Sequence, residues 1–132
     1  MATGSVNVID ESYKAAGDLS AGKYKGVVVS ANNTVNYAAT GGACAGVLQN
    51  APAAAGRGAA VLHMGRTKIR CGAAVTYMQR ITMAASGFFV KATSGSVQCG
   101  FVVLGASSGY IGEAVIVPNF LASTTSAGAT QV

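Results

Sequence analysis

The chain repeats itself. Laid over itself without a gap, Ala38 to Val61 matches Ala92 to Val115 at Ala38/Ala92, Gly41/Gly95, Gly46/Gly100, Gly58/Gly112, Ala60/Ala114 and Val61/Val115. Each copy reads as a Gly-rich turn, an apolar strand, a small-residue turn and a second apolar strand. Two copies of a unit that cannot bury its apolar face alone must pack on one another, so the repeat constrains the architecture before any single residue is interpreted.

The repeat divides the chain into three parts. Residues 1–16 precede it and read as an N-terminal arm, which carries Asp10 and Glu11 beside the apolar Val6, Val8, Ile9 and Tyr13. An arm of this kind either docks on something or frays. Residues 17–118 form the duplicated domain, with copies over about 17–65 and 71–118. Residues 119–132 form an Ala/Ser/Thr-rich C-terminal tail. That composition cannot bury enough apolar area to order itself unaided.

Within the copies, short β-branched or apolar runs alternate with turn residues. Expected strands are Tyr24 to Ser30, Val35 to Ala39, Ala45 to Gln49, Ala59 to Met64 and Arg66 to Cys71, then Phe88 to Ala92, Gln98 to Leu104 and Glu113 to Val117. Gly65 is expected to separate the fourth from the fifth. Tyr77 to Ala85 fits a strand or a helical turn equally well. Short strands at this spacing predict an all-β fold, a small β-barrel or β-sandwich built from two similar repeats.

Composition limits what such a fold can do. Only 10% of residues are charged, against a typical quarter. The 51% hydrophobic fraction is swollen by alanine, with 4 Phe and no Trp. The core is therefore thin and the surface is short of charge, which predicts dependence on subunit contacts. The net charge of +5 is concentrated, because no acidic residue lies between Asp18 and Glu113 while Arg57, Arg66, Lys68, Arg70 and Arg80 do. That basic stretch lacks interleaved aromatics and any nucleic-acid-binding signature, so direct nucleic-acid binding is not expected. Cys44, Cys71 and Cys99 are widely spaced with no C-x-x-C pair. They read as small buried hydrophobes, reduced and mostly inaccessible. The N-terminus has no signal-peptide pattern and no apolar run reaches membrane-spanning length. Synthesis in a reducing cytoplasm and no membrane association are the corresponding expectations.

No pattern in the chain assembles chemistry. Gly105-Ala106-Ser107-Ser108-Gly109 matches G-x-S-x-G, but it leads into a strand instead of a helix, and the lone histidine, His63, precedes it where the nucleophile-elbow fold places its histidine last. His63 lies in a strand on the same face as Val61 and reads as structural. The four carboxylates are too dispersed to name a pair. Gly56-Arg57-Gly58 lacks the third glycine of a dinucleotide loop, and no Walker-type sequence occurs. The expectation is no enzyme, no catalytic residue, no metal and no cofactor.

One segment carries a resemblance. Gly46-Val-Leu-Gln-Asn-Ala-Pro-Ala-Ala-Ala-Gly56, followed by Ala59-Ala60-Val61 and Gly65, resembles the central signature of the tailed-phage capsid cement, or head decoration, proteins. Gly100 to Val117 resembles the second half of that family's repeated plan, and the likeness spans about residues 17 to 117. Arg57 departs from the family pattern, which usually has an acidic residue there, and Arg66 and Lys68 fall where fewer charges are expected.

The resemblance implies a compact β-barrel or sandwich, often trimeric, that sits on the outer surface of a phage head and clamps neighbouring subunits of the major capsid protein. It carries over no catalytic residue. On this reading Val6, Val8, Ile9 and Tyr13 add apolar contacts with coat protein, and Arg66, Lys68 and Arg70 meet acidic coat surface. Two other readings are compatible with a duplicated β fold: a different phage virion or tail structural protein, and a quasi-symmetric carrier domain with a modified lysine. Neither Lys68, between Thr67 and Ile69, nor Lys91, between Val90 and Ala92, has the flanking residues of a carrier lysine.

Overall fold

The computed structural model describes residues 9–40, 44–93 and 96–121, the last four in their backbone only. Among these, nine strands form one all-β arrangement: β1 (Ile9–Ala15), β2 (Gly26–Ala31), β3 (Thr34–Tyr37), β4 (Gly46–Leu48), β5 (Gly58–Arg70), β6 (Arg80–Met83), β7 (Phe89–Lys91), β8 (Val97–Leu104) and β9 (Ile111–Leu121). The first five close on themselves. β1 pairs in parallel with β3, β3 with β2, β2 with β4, β4 with β5, and β5 returns to β1. The result is a small five-stranded barrel, as the strand spacing predicts.

The remaining strands repeat this order around the far half of β5, which pairs with β9, then β8, β6 and β7. Hydrogen-bond registers recur at the spacing of the sequence repeat. Val27 faces Tyr37 and Gly26 faces Val47 in the first unit, while Ile81 faces Lys91 and Arg80 faces Phe101 in the second. The Tyr24 amide donates to Leu48 and the Met78 amide to Val102, both from backbone at positive φ, 70° and 67°. A bulge between Val102 and Leu104 then slips the β8–β9 ladder, so Phe101 faces Val115 where the repeat would place Ile116.

Two strand assignments differ from the sequence reading. Ile9–Ala15 is not part of a separate arm, because its backbone closes the first barrel between β3 and β5. Nor does Gly65 end a strand. At φ 131° it lets one continuous strand bend, so that the first half of β5 serves the first barrel and the second half, Gly65–Arg70, serves the second unit. Cys71 bridges Phe89 in parallel, as Ala15 bridges Val35, so the end of β5 does for the second unit what β1 does for the first. β9 runs to Leu121, past the point where a tail was expected to begin. Tyr77 to Ala85 resolves into a turn, β6 and a single 3-10 turn over Ala85–Gly87.

Alternation along the strands sorts the side chains. In β5, Ala59, Val61, Thr67 and Ile69 point inward while Arg66 and Lys68 point out. Ala15, Leu19, Val27, Val35, Leu48, Ala59 and Val61 fill the first barrel. A larger cluster fills the second unit around Ile69, Ile81, Met83, Phe89 and Val102, and Val47 and Leu62 reach into it from the outer face of the first. The units thus share apolar contacts, as the repeat requires.

Candidate interaction surfaces

His63, weighed for chemistry, is occupied structurally, and Ser107 lies in a loop whose backbone is tied down. A carbonyl can only accept, so His63 donates from Nδ1 to the Ala45 carbonyl at 2.7 Å. Its Nε2 then accepts from the Tyr13 hydroxyl, whose ring meets the imidazole edge-on. Both ring nitrogens are engaged. Ser107 sits in the loop before β9, a loop tied back by paired backbone hydrogen bonds between Val75 and Ala106, and Ser108 donates to the Gly72 carbonyl. Among the described residues no group of three or more His, Cys, Asp or Glu is placed to hold a metal. No helix among them is long and apolar enough to cross a membrane. Cys44, Cys71 and Cys99 are buried thiols. Burial pushes Cys71 up, and a side-chain hydrogen bond with Cys44, followed by burial, pushes Cys99 well above the ordinary thiol range.

Of the expected coat contacts, Val6 and Val8 lie outside the described residues. Ile9 is exposed at the start of β1, whereas Tyr13 is half-buried and committed to His63. Arg66 is held by Glu113 at 2.9 Å on the outer face. Lys68 and Arg70 share that face of β5 but belong to a different group, centred where the two units meet.

There the backbone brings together residues that are distant in sequence. The Arg70 amide donates to the Tyr24 carbonyl, and the Lys68 and Lys23 ammonium groups lie 6.0 and 5.2 Å from the Tyr24 ring centroid. Lys25 is the inner member, only 8% exposed, with its ammonium 4.2 Å from the Phe88 centroid and 5.0 Å from that of Tyr37. Burial, and then the neighbouring Arg70 charge, hold the Lys25 ammonium below the ordinary lysine range. Sequence reasoning found the basic stretch but not its aromatics, because Tyr37 and Phe88 arrive through β3 and the approach to β7. The local signal was Lys23-Tyr24-Lys25.

The second surface is apolar. Tyr77, Met78, Leu104 and Tyr110 are each more than half exposed, on loops stitched together by the Val75–Ala106 pair. At the 54-residue spacing Tyr77, Met78 and Leu104 answer to Lys23, Tyr24 and Asn50, while backbone hydrogen bonds match Tyr110 to Arg57 at an offset of one residue. Tyr24 and Met78 share backbone conformation and partner, and the Arg57 and Tyr110 carbonyls accept from Ala15 and Cys71 respectively. The first unit therefore builds corresponding loops, one longer by two residues and the other by one, largely with polar residues. The apolar set in the second unit is not demanded by the fold.

No family model and no curated protein matches the chain. Among solved structures it is similar to the head fiber gp8.5 N base of bacteriophage phi29, with a TM-score of 0.67 at 15% identity, over 85% of this chain and 96% of that one. At that identity the likeness is one of fold.

Proposed function

We propose that this chain is a structural protein of a phage head, a cement or decoration protein that binds the outer surface of the shell and bridges subunits of the major capsid protein. The supporting observation is the fold shared with the N base of a phage head fiber across nearly the whole of both chains. The Gly46 to Gly65 signature and the exposed apolar end of the second unit agree with it. The role is binding, and it needs only area and shape. A clamp that touches several subunits at once gains affinity because each further contact is effectively intramolecular. The thin core and the exposed apolar end also favour a homo-oligomer, a trimer on this reading.

The test is to strip the protein from heads, add it back, and follow occupancy and the temperature of genome release. Rebinding with a raised release temperature is expected, and rebinding without it overturns the cement role. A second reading, the base of a head appendage, is favoured because the matched chain is itself a fiber base. A cryo-EM map separates the two, since decoration gives density spread over the shell and an appendage base gives density continued by a projecting fiber.

A further inference from the structure

Lys25 is largely covered and has no counter-charge among the described residues, while its ammonium, unlike the buried Arg70 Nε, keeps contact with solvent and is open to an anionic partner. No carboxylate, carbonyl or hydroxyl among them is hydrogen-bonded to it, and the described ion pair is that of Arg66 with Glu113. Its compensation there is the faces of Tyr37 and Phe88. Arg70, whose charge acts on Lys25, has a buried Nε that is also without a partner. Lys68 and Lys23 extend the same charge to the exposed side around Tyr24. Glu113, the register partner of Lys68, is already engaged by Arg66.

We infer that this junction between the units is a carboxylate-binding seat, in which Lys25 and Arg70 take one acidic side chain of a protein partner and Lys23 and Lys68 take a second beside the Tyr24 ring. The observations favour an acidic peptide over a nucleic-acid strand. The cations gather on two neighbouring aromatic groups, Lys25 on Tyr37 and Phe88 and Lys23 with Lys68 on Tyr24, joined by the Arg70 amide bond to the Tyr24 carbonyl, instead of tracking a backbone. Arg66, expected from sequence to be part of such a surface, is replaced in it by Lys23 and Lys25. As a coat-facing device the seat rests on the decoration reading. Its binding is measured on the isolated chain, so failure of one is separable from failure of the other.

The full-length chain is titrated calorimetrically at low ionic strength with a short polyglutamate peptide, with polyglutamine of the same length, and with a single-stranded oligonucleotide matched in charge. Polyglutamate is expected to bind and to raise the melting temperature, polyglutamine to do neither, and the oligonucleotide to bind more weakly than polyglutamate. Lys25→Met and Arg70→Gln are each expected to weaken polyglutamate binding roughly ten-fold, about 1.4 kcal/mol. Lys14→Gln removes the same charge from an exposed place on β1 beside the β2–β3 hairpin. It is expected to change binding less than about two-fold, as a screened long-range effect. Lys25→Met should leave the melting temperature unchanged or raised, since a thioether there needs no counter-charge. If it instead lowers the melting temperature, Arg70→Gln decides alone. No polyglutamate binding, tighter oligonucleotide binding, or an equal loss from Lys14→Gln overturns the proposal.

Discussion

Single residues here are mostly spent on holding the fold. The Tyr13 hydroxyl fixes His63, which in turn anchors the Ala45 carbonyl in the approach to β4. Tyr13→Phe leaves Nε2 without its donor in a half-buried place and is expected to cost about 1 kcal/mol, visible as a lower denaturant midpoint at unchanged slope. An unchanged midpoint would show that water replaces the hydroxyl. The cysteines give a second prediction. All three are buried, and Cys71 and Cys99 are pushed toward the neutral thiol. Burial therefore keeps all three thiols from reagents in solution. A thiol reagent should label none in the native state and all three after unfolding, and rapid native labelling at any one of them would contradict the packing described.

At the scale of elements, the units depend on close approach and on borrowed strands. Gly46 and Gly100 occupy matching places in β4 and β8, where a methyl group would be driven into the carbonyl oxygen of Leu62 or of Val115. Gly100 also has φ 153°. Gly100→Ala therefore combines overpacking against rigid backbone with conformational strain, and a loss of about 3 kcal/mol is expected in equilibrium unfolding. A loss below about 1 kcal/mol would mean that the bulged ladder relaxes around the methyl group. Removing residues 1–16 takes away all of β1 and opens the first barrel, so that chain should lose cooperative unfolding, as monitored by circular dichroism. A cooperative transition there would show that β1 is dispensable.

The repeat, the short strands and the barrel class were legible in the sequence because turn glycines and apolar alternation are local signals. The closing role of Ile9–Ala15 was not, since β1 pairs with the distant β5 and its acidic, exposed positions resemble an arm. Gly65 misled for a related reason. A glycine that bends a strand and one that ends it look alike until the partner strands are known. The cationic seat was half visible, in Lys68 and Arg70, because charge runs show in sequence whereas the rings that flank them come together only through topology.

At the scale of the whole molecule, the two units serve as each other's control. They share the registers of β2 with β3 and β6 with β7 and the backbone at Tyr24 and Met78, yet the first presents Lys23, Asn50 and Arg57 where the second presents Tyr77, Leu104 and Tyr110. The difference is not a requirement of the shared strands, because a polar set stands at the corresponding end of the first unit. Exposed tyrosines and a leucine grouped at one end are what an association surface requires, and burying them on coat protein or on a second copy supplies apolar area that the low-charge chain otherwise lacks. Transplanting the first unit's residues, by Tyr77→Lys, Leu104→Asn and Tyr110→Arg together, is therefore expected to leave the melting temperature within a few degrees of the parent. The same triple change should abolish self-association in light scattering, or rebinding to stripped heads, or both. If both survive the transplant, the apolar end is surface without a partner and the contacts of the molecule lie elsewhere. If the melting temperature collapses instead, those side chains belong to the fold, and the equivalence of the two loop ends is only one of backbone.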